Sequence, residues 1–380
     1  MTFRKNALTV MTRSVIVVIA AVSLVSYLIS HRMTASFEEG QFTLMEQTLH
    51  SKLLGAESKA IAAAEMMAAM PAVKKAFAAR NRAELLSATK NAFRIQHEKY
   101  GISQAQFQLS PATSFLRVHN PDKFGEDQSA YRPMIVEVNA NQTIRKGIEI
   151  TTSGIGVFGA LPMTDESGKN IGSFEMAMEI GPLLDELKGA YGFDLGFFVD
   201  EKILHATATS LKGDIFNDEN RVGAFIKFHS THPALLQALV GDADVNVTES
   251  AHYLREANGV PYGVLLQPVY NYAKKRIGVM AIASDFSQTR SADGQAVVWQ
   301  VLLGLVSSVL LIGFILVVVR GMIMRPLEVL NEHVASLADG ERGRDLPGVE
   351  SWCEEMRELA QNCERLADRS AHDKKKGNAE

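Results

Sequence analysis

Residues 296–319 read AVVWQVLLGLVSSVLLIGFILVVV, and Arg320 comes directly after them. The run carries no charge and is long enough to cross a bilayer core of about 30 Å at about 1.5 Å per residue. Only Gln300 and a few serines and glycines interrupt it. Arg320 and Arg325 lie just beyond, the usual mark of a cytoplasmic flank. A buried core helix rarely runs this long without charge. The stretch is therefore read as a transmembrane helix, with the chain before it on one side of a membrane and the chain after it on the other.

A second apolar run, SVIVVIAAVSLVSYLIS, occupies residues 14–30 behind Arg4, Lys5 and Arg13. The basic segment places its start in the cytoplasm. A cleaved signal peptide would show a small-x-small site after the apolar core, and only Thr34 and Ser36 fit loosely. An uncleaved anchor is expected. Two crossings leave both termini in the cytoplasm and residues 31–295 outside it, which in a bacterium is the periplasm, with the protein in the inner membrane.

Totals agree with this division. The net charge of −4 argues against a nucleic-acid binder. The two cysteines, Cys353 and Cys363, come after the second span. The middle region thus has no disulfide and no cysteine-bound metal.

Residues 35–70 lack proline and are rich in alanine. Met45, Leu49, Leu53, Ala56, Ala60 and Ala63 recur at steps of three and four, which predicts one long stalk helix ended or kinked by Pro71. Further helical turns are expected over 72–79 and 83–100. From Ser103 the period becomes two. In QAQFQL, residues 104–109, Ala105, Phe107 and Leu109 share one face and three glutamines the other. Strands are expected over 114–119, with Arg117 and His119 on one face, and over 148–150, 155–161 and 171–180. Residues 132–138 form an extended or helical apolar run, and the pattern suggests a meander with one covered face. A second round comes next: a helix over 182–190, strands over 195–199 and 202–207, a helix over 232–240, and strands over 245–253, 263–270 and 277–283. Helix-then-meander occurs twice, which points to two tandem modules.

FLRVHNPDKFGEDQSAYRPMI (115–135), KGIEITTSGIGVFGALPM (146–163) and SGKNIGSFEMAMEIG (167–181) resemble the double Cache sensor domains of bacterial chemoreceptors and sensor kinases. The resemblance implies an α+β fold: a long N-terminal stalk helix and two tandem PAS-like antiparallel sheets. The membrane-distal module commonly holds the small-molecule pocket. The resulting division is a cytoplasmic N-terminus (1–13), first span (14–30), stalk and helical segment (31–100), distal module (101–185), proximal module (186–290), second span (296–319), a linker (320–370) and a polar tail (371–380).

After Arg325-Pro326, apolar residues fall at Leu327, Leu330, Val334 and Leu337, a coiled-coil seam stopped by Gly340. A connector with Gly343, Pro347 and Gly348 leads to a second seam through Trp352, Met356, Leu359, Cys363 and Leu366. Two such helices behind a membrane span resemble a HAMP linker, although Arg357 stands where that family usually has glycine. Helices this narrowly amphipathic are marginal alone, so a parallel homodimer is expected. Gly304 and Ser308, four apart in the second span, permit close helix contact. The chain as given ends at Glu380, so output is expected from a separate kinase or chemotaxis adaptor.

The candidate site lies in the first module. Arg117 and Arg132, with Tyr131 and His119, are expected to hold a small anionic ligand, since a guanidinium grips a carboxylate with two parallel hydrogen bonds. The competing reading pairs these arginines with Asp122, Glu126 or Asp127 and merely pins the loop. Phe158 occupies a position where relatives often carry a polar or basic residue. Gly154, Gly156 and Gly159 match G-x-G-x-x-G, but no helix opens there, so bent-strand glycines explain them better. No zinc-protease or other catalytic constellation is present, and no cofactor or metal is expected. The sequence reads as a non-enzymatic transmembrane receptor; the alternative is a membrane-anchored binding or scaffold protein of the cell envelope.

Overall fold

A computed structural model describes residues 3–165, 167–211, 213–338 and 348–377. The protein has an α+β fold in two units, one of residues 35–290 and one combining residues 1–34 with 291–380.

The first unit holds the C-terminal half of helix α1 (Phe3–Ala68). Its expected stripe is buried: Met45, Leu49, Ala56, Ala60 and Ala63 face the core. Pro71 does not kink α1 but opens α2 (Pro71–Ala78), where its missing N–H is no loss. Helix α3 (Arg82–Tyr100) begins at Asn81, whose side chain accepts a bond from the Glu84 N–H.

Five antiparallel strands form the distal sheet: β1 (Gln104–Leu109), β2 (Thr113–Arg117), β3 (Arg145–Thr151), β4 (Gly154–Thr164) and β5 (Asn170–Glu179). Their order is β2-β1-β5-β4-β3. One face packs on the helices through Phe77, Phe107 and Phe174, with the last two ring centroids 4.2 Å apart. The G-x-G-x-x-G residues lie inside β4. At Gly159 a Cβ would stand 2.6 Å from the backbone nitrogen of Ile61, so the glycine is what lets α1 lie directly on the sheet.

The expectation of one covered face fails here. Gln106 and Gln108 are as buried as Phe107, because α4 (Pro133–Asn141) and the loop leading to it cover the glutamine face. Run 132–138 is thus mostly helix, and Pro133 supplies its first residue.

Helix α5 (Ile180–Tyr191) leads into the proximal module. Its sheet comprises β6 (Asp194–Asp200), β7 (Arg221–Val222), β8 (Phe225–Ser230), β9 (Ala251–Ala257), β10 (Val260–Tyr270) and β11 (Arg276–Asp285), ordered β7-β8-β6-β11-β10-β9. The expected strand over 202–207 is instead helix α6 (Glu201–Thr207), because the Asp200 carboxylate accepts from the Ile203 N–H and starts a helix. Strand β8 takes the place beside β6. The strand expected from Val245 begins only at Ala251; Asp244–Asn246 is a 3₁₀ turn. Asn258 and Gly259, both at positive φ, make the β9–β10 turn, and Val260 and Pro261 are already strand. Helix α7 (Pro233–Leu239) covers the sheet.

In the second unit, α8 (Ser287–Val318) passes through a π-helical turn, Val319–Met324, into α9 (Arg325–Ala338). Pro326 has no N–H for the preceding turn, which accounts for the widened segment. Among the described residues, two helices are long and apolar enough to cross a membrane, in the regions Thr9–Ala68 and Val297–Ser336. They meet within one chain: Gln300 Nε2 donates to Ser26 Oγ at 2.7 Å, and a Cβ at Gly304 would lie 3.3 Å from Ser23 Oγ. Gly340, Gly343 and Pro347 lie outside the described residues. Helix α10 (Glu354–Gly377) runs into the expected polar tail. Trp352 and Ala360 pack against Leu330, while Leu327, Val334, Leu359 and Leu366 stay exposed. Only part of each expected seam is therefore used within one chain.

Candidate functional site

The covered face of the distal sheet is built from alternate residues of four strands. Register places Gln106 opposite Glu175, Gln108 opposite Ser173, Ala160 opposite Glu175, and Glu149 opposite Gly156. All these side chains point the same way, toward α4 and its leading loop.

Arg132 descends from that loop into the face and is almost wholly buried. Its Nε donates to Glu149 Oε2 at 2.7 Å, and its two terminal nitrogens grip both oxygens of Glu175, Nη1 at 2.9 Å. The guanidinium lies 4.7 Å over the Phe158 ring. Burial alone would lower the Arg132 pKa, but the Glu175 and Glu149 carboxylates outweigh it and hold the arginine charged. Burial pushes the Glu149 carboxyl up, and Arg132 only partly offsets this. A network extends the site: Gln108 Nε2 donates to Glu175 Oε1 at 2.6 Å, Ser173 Oγ donates to Gln108 Oε1 at 3.2 Å, and Asn139 Nδ2 donates to Ser173 Oγ at 3.0 Å. The Met134 N–H, in the first turn of α4, donates to Glu149 Oε1.

The expected residues divide. Arg132 and Phe158 stand together at the centre. Tyr131 is half-buried at the rim, its pKa raised by burial. Arg117 donates to the Lys123 carbonyl at 2.9 Å and pairs with Glu126. Burial would raise the Glu126 pKa, but Arg117 wins and lowers it. Here the loop-pinning alternative describes Arg117, whereas Arg132 takes none of the three loop carboxylates. His119 leaves the face altogether: its ring meets Phe93 of α3, and Nδ1 lies 3.2 Å from the Ala105 backbone. Burial lowers its pKa to about 4.

That shift makes a prediction. A histidine of ordinary pKa near 6.5 when unfolded and about 4 when folded binds fewer protons in the folded state. Its contribution is complete above pH 6.5 and is lost as pH falls toward 4. Thermal unfolding across this range should show the loss, and His119→Gln should flatten that part of the profile.

Glu149 and Glu175 complete the candidate site, and the sequence does not single them out. The available signal is one carboxylate inside each of two apolar strands, Ile148-Glu149-Ile150 and Phe174-Glu175-Met176. Among the described residues, no group of three or more His, Cys, Asp or Glu side chains is placed to hold a metal ion.

The family model for the double sensory domain of two-component sensor kinases matches residues 46–289. The chain belongs to the double Cache family. Cache domains are sensory modules of chemoreceptors and sensor kinases that bind small ligands. Two solved domains illustrate the likeness. The ligand-binding domain of the Campylobacter jejuni chemoreceptor Tlp3, in complex with 4-methylisoleucine, is 11% identical with a TM-score of 0.41, covering 68% of this chain and 94% of that one. The sensor domain of the V. cholerae histidine kinase DctB is 10% identical with a TM-score of 0.38, covering 64% and 97%. No curated protein matches the chain.

The two Cache modules differ in what their sheets bury. Among the described residues, the polar and charged residues buried as a whole fall between Thr89 and Glu175, and the proximal sheet buries only single polar atoms such as Ser230 Oγ and Gln267 Oε1. The proximal sheet instead packs a dry core of Phe198, Leu236, Leu239, Val264 and Val279 under α7.

Proposed function

We propose that the protein is a membrane receptor that binds a small ligand on the covered face of its distal Cache module. The observation that carries this reading is the buried charge cluster of that module, Arg132 held between Glu149 and Glu175. Buried charge is costly unless paired, and it clusters where a protein binds or switches. In this reading residues 35–290 face the periplasm, the two apolar helices cross the inner membrane, and both termini are cytoplasmic. Helices α9 and α10 act as a HAMP-like pair in a homodimer, whose exposed Leu327, Val334, Leu359 and Leu366 pack against a second copy. A kinase or chemotaxis adaptor reads their arrangement. No catalytic activity is proposed.

A contact route supports signal transfer. Tyr272, in the β10–β11 turn, donates its N–H to the Ile148 carbonyl at 3.0 Å and its hydroxyl to Glu137 of α4 at 2.6 Å. Arg145 holds the same Glu137 at 2.8 Å. Beyond β11, Phe286 seals the start of α8 against Phe42, ring centroids 5.2 Å apart. Movement of α4 thus has a direct path to the strand that feeds α8. Tyr272→Phe removes one hydrogen bond to a charged group. It should weaken ligand-dependent signalling more than ligand affinity.

Thermal unfolding of the full chain in nanodiscs, run against small amines, amino acids and carboxylates, tests the proposed site. A compound that stabilises the protein should lose its effect in Gln108→Leu and keep it in the proximal variant Val264→Ala. The reverse pattern would move the site to the proximal module.

A further inference from the structure

The distal face is short of positive charge and of hydrogen-bond donors. One guanidinium, Arg132, serves two buried carboxylates, Glu149 and Glu175. Asn139, 6% exposed, leaves its Oδ1 without a partner in the network that ends on Glu175. The other arginines of the region are also taken, Arg117 by Glu126 and Arg145 by Glu137. The two carboxylates are not held alike. Glu175 receives a two-pronged grip and a third bond from Gln108, whereas Glu149 receives one Arg132 nitrogen and one backbone N–H.

Resting on the proposed distal placement, we infer that the ligand presents a cationic hydrogen-bond donor, an ammonium or guanidinium group, and that it displaces Arg132 from Glu149 while Arg132 remains on Glu175. Arg132 is thus the chain's own occupant of the site, seated over Phe158 as a ligand cation would be. Exchange at Glu149 bears directly on α4. Arg132 is the residue that precedes its first turn, Met134 N–H bonds the same carboxylate, and one turn further Glu137 holds Tyr272.

Binding of this kind carries a proton signature. The groups facing Glu149 are Arg132 and the Met134 N–H from the α4 side and Glu175 from β5. A second cation favours the ionised Glu149, so over the pH range in which Glu149 titrates binding releases a proton and affinity rises with pH.

Isothermal titration of the full chain in nanodiscs, with agmatine, putrescine and ethylguanidinium as cationic probes and succinate as the anionic one, tests the inference. The expected result is that at least one cation binds, with a heat that depends on the buffer's ionisation enthalpy. Glu149→Gln, which leaves the Arg132–Glu175 pair intact, should weaken that binding about tenfold or more and abolish the buffer dependence. Binding of no cationic probe overturns the inference, as does cation binding that Glu149→Gln leaves unchanged. Succinate binding lost in Gln108→Leu overturns the cationic class but leaves the distal site standing. Binding of any probe that Gln108→Leu leaves intact and Val264→Ala removes overturns the distal placement as well.

Discussion

Arg132→Ala should destabilise the protein by about 3–5 kcal/mol, because it strands two carboxylates in a buried site with no cation between them. Glu149 and Glu175 are each about 2% exposed, so water cannot replace the lost partner. The pH dependence has a definite sign. Burial already raises the Glu149 pKa, and without Arg132 nothing offsets that rise. Stability is then fullest at low pH and falls as pH rises through the folded value of Glu149. Thermal unfolding in nanodiscs at pH 5 and pH 8 should therefore show the variant recovering in acid. A loss under about 1 kcal/mol, or a loss relative to the native protein that is larger at pH 5 than at pH 8, would show that the triad is not the buried charge cluster described.

Gly159→Val should cost about 3 kcal/mol, at the upper end of ordinary overpacking. The new Cβ would meet the Ile61 backbone nitrogen at 2.6 Å and the Ile61 side chain at 2.7 Å. Backbone cannot rotate away as a side chain can, so α1 must lift from β4. Gly55→Ala on the same helix is the control: nothing stands within 4 Å of its Cβ, and the better helix former should stabilise by about 0.5–1 kcal/mol. Equal effects of the two substitutions on the melting temperature would deny the close helix–sheet contact.

The parts of the fold that repeat a period are legible in the sequence. The α1 stripe from Met45 to Ala63 declares itself at helical spacing, and the strands of the distal sheet alternate or run apolar as buried strands do. The parts that are not legible depend on single side chains acting on the backbone. Asp200 turns the next residues into a helix, although Lys202–Thr207 alone reads as extended. The glutamine face of β1 reads as solvent-facing, because the alternation that sets its direction says nothing of what covers it. The same limit hides Glu149 and Glu175. Arg132 stands out as a charged residue beside an acidic loop, but its partners come from β3 and β5, 17 and 43 positions later. Arg117, by contrast, pairs nine positions along the chain, within the loop-pinning alternative that the sequence already contains.

For a signal to pass through lipid, residues 35–290 and helices α9 and α10 must occupy opposite sides of a membrane. Single cysteines at Ser129 and Glu358, introduced into the full chain with Cys353 and Cys363 replaced by serine, place each side directly. Treatment of intact cells with a membrane-impermeant maleimide should label the Ser129→Cys protein and spare the Glu358→Cys protein until the cells are opened. Labelling of both from outside, or of neither, would contradict the account.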